Sequence, residues 1–184
     1  MNKREINERL KELGHIYDQL NGPDLEIGSC GGAALILTDL VSRVTKDVDL
    51  LYPLTLPPQF TKAAQIVAQN QGLPANWINQ GPKDLFTMGL PENFQQRATK
   101  KRFGKKLTAH LAGRKDQIFF KLYAAADRAG YHVDDLKKLK PSDKELTEAV
   151  RWVRTHDPSE GFFEILISML EKLGYETVAQ KIRP

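Results

Sequence analysis

Two aspartates stand at alternate positions in an otherwise apolar run, Asp47-Val48-Asp49-Leu50-Leu51. Aspartate is depleted in β-strands, and alternate residues of a strand point to the same face. The pattern predicts a strand from Lys46 to Tyr52 with both carboxylates on one face and the apolar side chains packed on the other. Because two like charges side by side repel each other, the pair favours a bound cation between them over the alternative, an edge strand with a solvated face.

A glycine-rich turn precedes this strand. The apolar run Leu25 to Cys30 predicts a first strand, Gly31-Gly32 predict a tight turn, and a short helix is expected to begin near Ala33. Glycine permits close approach of a phosphate to the backbone, and the first N–H groups of a helix attract anions. A tight turn without any ligand is the alternative, and the downstream aspartates favour phosphate binding over it.

The remaining chain predicts an α+β fold, a small mixed sheet flanked by helices with a C-terminal helical bundle. Apolar spacing predicts helices over residues 2–20, 58–70 and 114–128, and a hairpin is predicted over 98–112. Ser142 and Glu145 have the spacing of a capping box, which predicts another helix start. We expect an α/β core over 1–113 and a helical region over 114–184 that packs on it in one compact unit.

Composition excludes several classes of protein. A length of 184 residues fits one domain, or one domain with a helical appendage, and the single cysteine excludes a disulfide framework or a cysteine-rich zinc site. No stretch approaches the about 20 apolar residues that span a bilayer, and the charged start of the chain is not a signal peptide. The sequence therefore predicts a soluble, cytoplasmic protein without a membrane partner.

The glycine turn and the acidic strand together resemble the nucleotidyltransferase fold of the polymerase-β superfamily. In that family a strand ending in Gly-Gly or Gly-Ser leads through a short helix to a strand with Asp-x-Asp. Gly31-Gly32 and Asp47-Val48-Asp49 match this pattern. Arg43-x-Thr45-x-Asp47-x-Asp49 is similar to the variant in the abortive-infection and type IV toxin branch.

The resemblance extends to the helical half. The stretches 121–128 and 132–136 look like the lysine helix and the acidic Asp-x-x-Asp-Leu motif of the toxin-like branch. By that match Lys121 contacts the triphosphate and Asp135 fills the second acidic position. The first acid of the motif falls on His132 instead. Asp134 as a substitute, altered chemistry and loss of catalysis all stay open as explanations.

The resemblance implies transfer of a nucleoside monophosphate from an NTP to a hydroxyl, with release of pyrophosphate. Asp47 and Asp49 would hold Mg²⁺, and Lys121 would join them as a catalytic residue. The phosphates would be positioned by Gly31, Gly32 and Ser29 and neutralised by Arg43. The acceptor is left open between RNA such as a tRNA end, a protein side chain and a small molecule, and the resemblance implies a toxin–antitoxin context with a cognate antitoxin.

Two alternatives compete with an active enzyme. One is a degenerate member that binds a nucleotide or a partner without chemistry, which the histidine at position 132 favours. The hairpin strand where other members keep a third acid offers only His110. The other alternative is an RNA-binding module built on the hairpin, where six cations fall within ten residues: Arg97, Lys100, Lys101, Arg102, Lys105 and Lys106.

Overall fold

The computed structural model describes residues 1–183 and has an α+β architecture. Within these residues it contains ten helices and five strands, and about 58% of the chain is helical. The chain forms two compact units, one from Met1 to Gly113 and one that begins at Arg114. The predicted fold class, a small mixed sheet with helices, is confirmed. The nucleotidyltransferase topology and the packing of the helical region on the core stay predictions.

The first unit contains one mixed sheet of five strands: β1 (Leu25–Cys30), β2 (Val48–Tyr52), β3 (Ile78–Asn79), β4 (Thr99–Arg102) and β5 (Leu107–Leu111). The strands lie in the order β3-β2-β1-β5-β4. The central strand β1 pairs in an antiparallel manner with β2 and in parallel with β5. At the edges, β3 is parallel to β2, and β4 is antiparallel to β5.

Five helices accompany this sheet: α1 (Lys3–Gln19), α2 (Gly31–Leu37), α3 (Pro58–Gln71), α4 (Lys83–Met88) and α5 (Phe94–Arg97). The first begins at a reciprocal capping box between Asn2 and Glu5, which satisfies backbone donors that have no partner inside the helix. Its apolar stripe is fully buried and packs against α3. The third ends at Gly72, which adopts the left-handed conformation that glycine tolerates best.

The two faces of the sheet differ in chemistry. Residues that oppose each other in a register point to the same face, so Leu25, Ile27 and Leu50 share the buried apolar face with the alternate residues of β5. The opposite face carries Asp49 and His110. The polar side chains of the sheet therefore lie mainly on one face.

Gly28 on the polar face provides the space for an aromatic ring. A Cβ atom at this glycine would lie 2.1 Å from Cε1 of Tyr52, the residue opposite it on β2. The register of β1 and β2 shifts at this point by one extra residue on β2. The irregularity brings the Tyr52 ring over the main chain of β1.

The second unit is helical: α6 (Arg114–Arg128), α7 (Tyr131–Leu139), α8 (Asp143–His156), α9 (Glu160–Lys172) and α10 (Glu176–Ile182). α6 contacts α7, α8 and α9, and α10 contacts α8 and α9. Ser142 and Glu145 form the predicted capping box at the start of α8. Leu122, Leu146 and Leu166 are fully buried in this unit.

Some predicted boundaries differ from the structure. β2 begins at Val48 rather than at Lys46, so that Asp47 precedes the strand. α2 begins at Gly31 rather than near Ala33. Within the part of the chain that is described, no helix combines the length and the apolar character that crossing a membrane requires.

Candidate functional site

The connection from β1 to α2 lies directly against the acidic strand. Gly31 has a φ of +67°, in the left-handed region that side chains other than glycine rarely adopt. A Cβ atom at this position would lie 2.5 Å from Oδ2 of Asp49. Conformation and space therefore both require glycine here, and the carboxylate of Asp49 faces bare backbone.

Gly32 makes a second close approach. A Cβ atom here would lie 2.7 Å from Oγ1 of Thr45 and 2.9 Å from Nη2 of Arg43. The guanidinium of Arg43 also donates from Nη1 to the carbonyl of Val44 at 2.8 Å. The two glycines, Arg43 and Asp49 are thus brought together at one end of the sheet.

Asp47 is held by its own loop. Oγ1 of Thr45 lies 3.3 Å from both the carbonyl oxygen and Oδ1 of Asp47, and Thr45 is only 8% exposed. The backbone N–H of Thr45 in turn donates to the carbonyl of Met1 at 3.0 Å. Asp47 itself is half-buried. This loop fixes Asp47 one residue before β2 by side-chain hydrogen bonding rather than by strand pairing.

Asp49 is positioned by pairing on both sides of β2. It opposes Cys30 on β1 and Asn79 on β3, and its main-chain carbonyl accepts a hydrogen bond from the Ser29 hydroxyl at 2.9 Å. Oδ1 of Asn79 accepts from the backbone N–H of Gly81 at 2.7 Å, which shapes the turn beside Asp49. Asp49 is half-buried, between the fully buried Val48 and Leu50. The predicted alternation around Asp49 is therefore present.

Ser29 differs from the role that the resemblance implies. It is 1% exposed, and its hydroxyl donates into the sheet. In this arrangement Ser29 orients the backbone that carries Asp49 and does not present its hydroxyl to a phosphate.

The side chains that could bind a metal ion at this end of the sheet offer carboxylate oxygens. Among residues 1–183 no group of three or more His, Cys, Asp or Glu side chains is arranged to hold a metal ion. Two carboxylates nevertheless fit Mg²⁺, which is bound in nucleotide sites through one or two carboxylates together with substrate phosphates. Asp47 and Asp49 are the residues that would hold it.

A second polar cluster lies on the same face of the sheet, and sequence reasoning did not find it. Glu26 on β1 receives a hydrogen bond from Nζ of Lys100 at 3.0 Å. Its Oε2 lies 3.3 Å from Nε2 of His110, an ion-pair distance, although neither ring nitrogen of His110 has a hydrogen bond in the described residues. The hydrogen bond from Lys100, aided by its charge and by His110, lowers the pKa of Glu26.

Tyr52 borders this cluster. Its ring centroid lies 6.3 Å from that of His110 and 5.4 Å from that of Phe86. Its buried hydroxyl has no hydrogen-bond partner in the described residues. Burial, with a smaller contribution from the charge of Glu26, raises the pKa of Tyr52 to about 12. The parallel register that places His110 beside Gly28 joins residues more than 80 positions apart, so local sequence patterns carry no signal for it.

Lys121, predicted to contact the triphosphate, lies in the second unit and forms an ion pair there. Its Nζ lies 2.8 Å from Oδ2 of Asp135, and the two side chains are only 4% and 1% exposed. Nζ also lies 5.5 Å from the ring centroid of Tyr131. The ion pair ties α6 to α7, and a phosphate-binding role for Lys121 stays a prediction.

Asp134, the possible substitute for the missing acid of the motif, lies on the same helix as Asp135. Asp134 is exposed in the first turn of α7, whereas Asp135 is buried. His132 is half-buried in the same turn. The acidic position of the motif that reaches the lysine is therefore Asp135, and Asp134 does not take part in this ion pair.

The basic hairpin uses several of its cations internally. Lys100 pairs with Glu26, Nζ of Lys101 donates to Oδ1 of Asn7 at 2.5 Å, and Arg102 donates to the carbonyls of Gly104 and Lys105. Burial, more than the neighbouring Lys3 and Lys11, lowers the pKa of Lys101. Lys100, Arg102 and Lys105 nevertheless stay exposed, and an RNA-binding role for the hairpin stays a prediction.

Comparisons of the chain with protein-family models, with curated proteins and with solved structures gave no match. The residues and their geometry are therefore the basis for a functional hypothesis.

Proposed function

We propose that this chain is a nucleotidyltransferase-like protein that binds an NTP with Mg²⁺ and transfers the nucleoside monophosphate to a hydroxyl. The acceptor belongs to one of three classes: RNA, a protein side chain or a small molecule. A toxin–antitoxin context follows from the resemblance alone and remains part of the proposal.

The observation that carries the proposal is the contact between Gly31 and Asp49. Oδ2 of Asp49 lies 2.5 Å from the position that a Cβ atom would take at Gly31, so the carboxylate packs directly against glycine main chain. Such bare backbone allows a phosphate to approach its N–H groups. The same contact puts that backbone next to a carboxylate suited to a metal–phosphate complex.

Each residue of the site has a proposed task. Asp47 and Asp49 hold the metal, and the backbone at Gly31 and Gly32 accommodates the phosphates. Arg43, beside Gly32, offsets their negative charge. Mg²⁺, when bound, supplies charge neutralisation on the phosphates and activation of the attacking oxygen.

The transfer itself is a displacement at the α-phosphorus of the NTP. The acceptor oxygen bonds to this phosphorus while the bond to the bridging oxygen of the β-phosphate breaks, so that pyrophosphate leaves with the electron pair. The acceptor hydroxyl gives up its proton to water in the same process. Because phosphoryl transfer depends mainly on positioning and charge stabilisation, the demands on the protein are those that this site can meet.

Thermal unfolding with each of the four NTPs, with and without Mg²⁺, tests the proposal. A ligand that binds only the folded state adds about 2.7 kcal/mol to the free energy of unfolding at one hundred times its Kd. The melting temperature therefore rises. We expect a rise of several degrees that needs Mg²⁺ and disappears in Asp47→Asn. The NTP with the largest shift then serves as the labelled substrate in a transfer assay.

Asp84→Asn is the matched control, because this aspartate is exposed in the first turn of α4 and lies outside the proposed site. It should keep the full shift. Absence of a shift with every NTP at millimolar concentration would contradict the proposal. A shift that Asp47→Asn retains would place nucleotide binding elsewhere in the chain.

Nucleotide binding without transfer is the second candidate. It is favoured by the lack of a third acid at the site, since no metal-holding group of three or more ligands occurs in residues 1–183. A Mg²⁺-dependent thermal shift together with no incorporation of label into protein, RNA or small acceptors would select this candidate.

A further inference from the structure

α9 presents a groove in the second unit that the proposed nucleotide site does not use. The groove has a volume of about 620 Å³ and is open to solvent on one side. Its apolar lining comes from α6, α7, α9 and the residue that follows α6: Ala125, Ala126, Ala129, Val133, Ile165 and Met169. Ile165 is 54% exposed and lies in the middle of α9.

Charges on α9 border the groove symmetrically. Glu164 and Lys172 both line it, and Ser168 lies midway between them. At 1.5 Å per residue, each charge is about 6 Å from Ser168 along the helix axis. Within residues 1–183 neither charged side chain forms an ion pair with another residue. The groove therefore has an acid at one end, a base at the other and a small polar side chain at its centre.

We propose that a second copy of this chain occupies the groove, with the two α9 helices antiparallel and related by a two-fold axis at Ser168. A two-fold axis makes every contact occur twice, residue i with j and j with i. Glu164 of each copy then opposes Lys172 of the other, and the exposed Ile165 of each copy enters the apolar groove of its partner.

The charge order favours a second copy over an unrelated helix. A two-fold contact between antiparallel helices places each residue opposite the one at the same distance on the other side of the centre, and α9 has opposite charges at two such positions. An unrelated partner imposes no such symmetry on this chain. Burial of apolar surface would supply most of the affinity, while the paired charges would set the register and exclude misaligned contacts.

Charge reversal tests the arrangement. Sedimentation velocity of the full chain over a range of concentrations should show a reversible monomer–dimer equilibrium. Glu164→Lys places lysine against lysine at both ends of the interface, and Lys172→Glu places glutamate against glutamate. Each variant should weaken dimerisation at least about tenfold, and lowering the salt concentration should increase this effect.

Two further samples identify the proposed pairing. An equal mixture of the two single variants should form a heterodimer, because each lysine then meets a glutamate. The double variant E164K/K172E should dimerise like the wild type. Lys144→Glu, an exposed charge reversal on α8 outside the groove, is the control and should leave dimerisation unchanged. The melting temperature of every variant reports whether it is folded.

The proposal is overturned by a wild-type chain that stays monomeric at several hundred micromolar. That result would assign the groove to a partner of another kind. A wild-type dimer that both single variants leave unchanged would also overturn it, as would folded single variants that do not associate when mixed. The test is independent of nucleotide binding, because none of the substituted residues belongs to the proposed nucleotide site.

Discussion

The two units place aspartate in opposite environments. In the first unit Asp47 and Asp49 are half-buried, and Asp49 lies against the bare backbone of Gly31. In the second unit Asp135 is 1% exposed, and Lys121 balances its charge at 2.8 Å. A buried carboxylate with a fixed counter-charge serves the packing of helices. Asp47 and Asp49 keep part of their surface exposed to solvent.

Asp49 and Lys121 were expected to serve one reaction, yet the lysine has a structural partner within its own unit. The stability of each unit and its response to nucleotide can therefore be tested with different substitutions.

Removing one member of the buried ion pair has the largest expected effect. Asp135→Ala leaves the ammonium of Lys121 buried without its counter-charge and should lower the free energy of unfolding by about 3–5 kcal/mol. Denaturation by urea, followed through far-UV circular dichroism, measures the loss.

The double variant Lys121→Met/Asp135→Leu is the control for this experiment. It removes both charges and should recover most of the stability, because a well-packed apolar pair can replace a buried ion pair. Lys121→Met could instead abolish the nucleotide response while leaving stability unchanged. In that case the ion pair would not be structural, and Lys121 would take part in nucleotide binding.

Gly31→Ala should have the next largest effect. The substitution puts a side chain at φ +67° and within 2.5 Å of the Asp49 carboxylate, so both strain and collision act together. We expect a loss of about 1–3 kcal/mol in the free energy of unfolding and loss of the Mg²⁺-dependent thermal shift.

Gly72→Ala separates these two contributions. Its φ is +60°, but no atom lies within 4 Å of the added Cβ position. It should therefore reproduce the backbone strain and keep the nucleotide response. An equal loss of the thermal shift in both variants would show that the shift does not depend on the contact between Gly31 and Asp49.

The raised pKa of Tyr52 predicts that the first unit loses stability at alkaline pH. This pKa rises from 10.0 to about 12 on folding, so the unfolded chain loses this proton at a lower pH than the folded chain. The contribution is fully present below about pH 10 and is lost as the pH rises through about 12, with a maximum of about 3 kcal/mol.

Denaturation at intervals between pH 9 and pH 12 measures this effect. Tyr17 and Tyr175 also have raised pKa values through burial, so the difference between wild type and Tyr52→Phe isolates the contribution of Tyr52. Identical pH dependence of the two proteins would show that the hydroxyl of Tyr52 is not desolvated.

Thr45→Val should have the smallest effect. The substitution keeps the shape of the side chain and removes the hydroxyl that lies 3.3 Å from Oδ1 and from the carbonyl of Asp47. We expect a loss of about 1 kcal/mol in stability. Because Asp47 is then less restrained, nucleotide titrations monitored by melting temperature should give a weaker apparent affinity. Unchanged affinity would show that the loop holds Asp47 without help from Thr45.

Local patterns were sufficient for much of the fold. The bounds of β1 and α6 and the cap at Ser142 follow from apolar spacing and capping chemistry, and the structure confirms them. The start of β2 was wrong because Asp47 is held by a side-chain contact from Thr45 and not by a strand partner. Neither α5 nor α10 was predicted, since helices of four and seven residues provide little periodicity.

The candidate site was predictable only in part, for a similar reason. The approach of Gly31 to Asp49 agrees with the expected order of strand, turn and strand, because it involves neighbouring elements. The cluster of Glu26, His110 and Tyr52 depends on the pairing of β1 with β5 and on an irregular register with β2. Such long-range pairing is not encoded in any short window of sequence, and neither is the buried hydroxyl of Ser29.

The interlock between Gly28 and Tyr52 has a consequence for how the sequence can diverge. The space left by the absent side chain on β1 is filled by the ring from β2, with 2.1 Å between the two positions. A larger residue at position 28 requires a smaller one at position 52, and loss of the ring leaves a gap that a larger residue at position 28 would fill. Across related chains we therefore expect these two positions to covary, with glycine accompanying an aromatic residue.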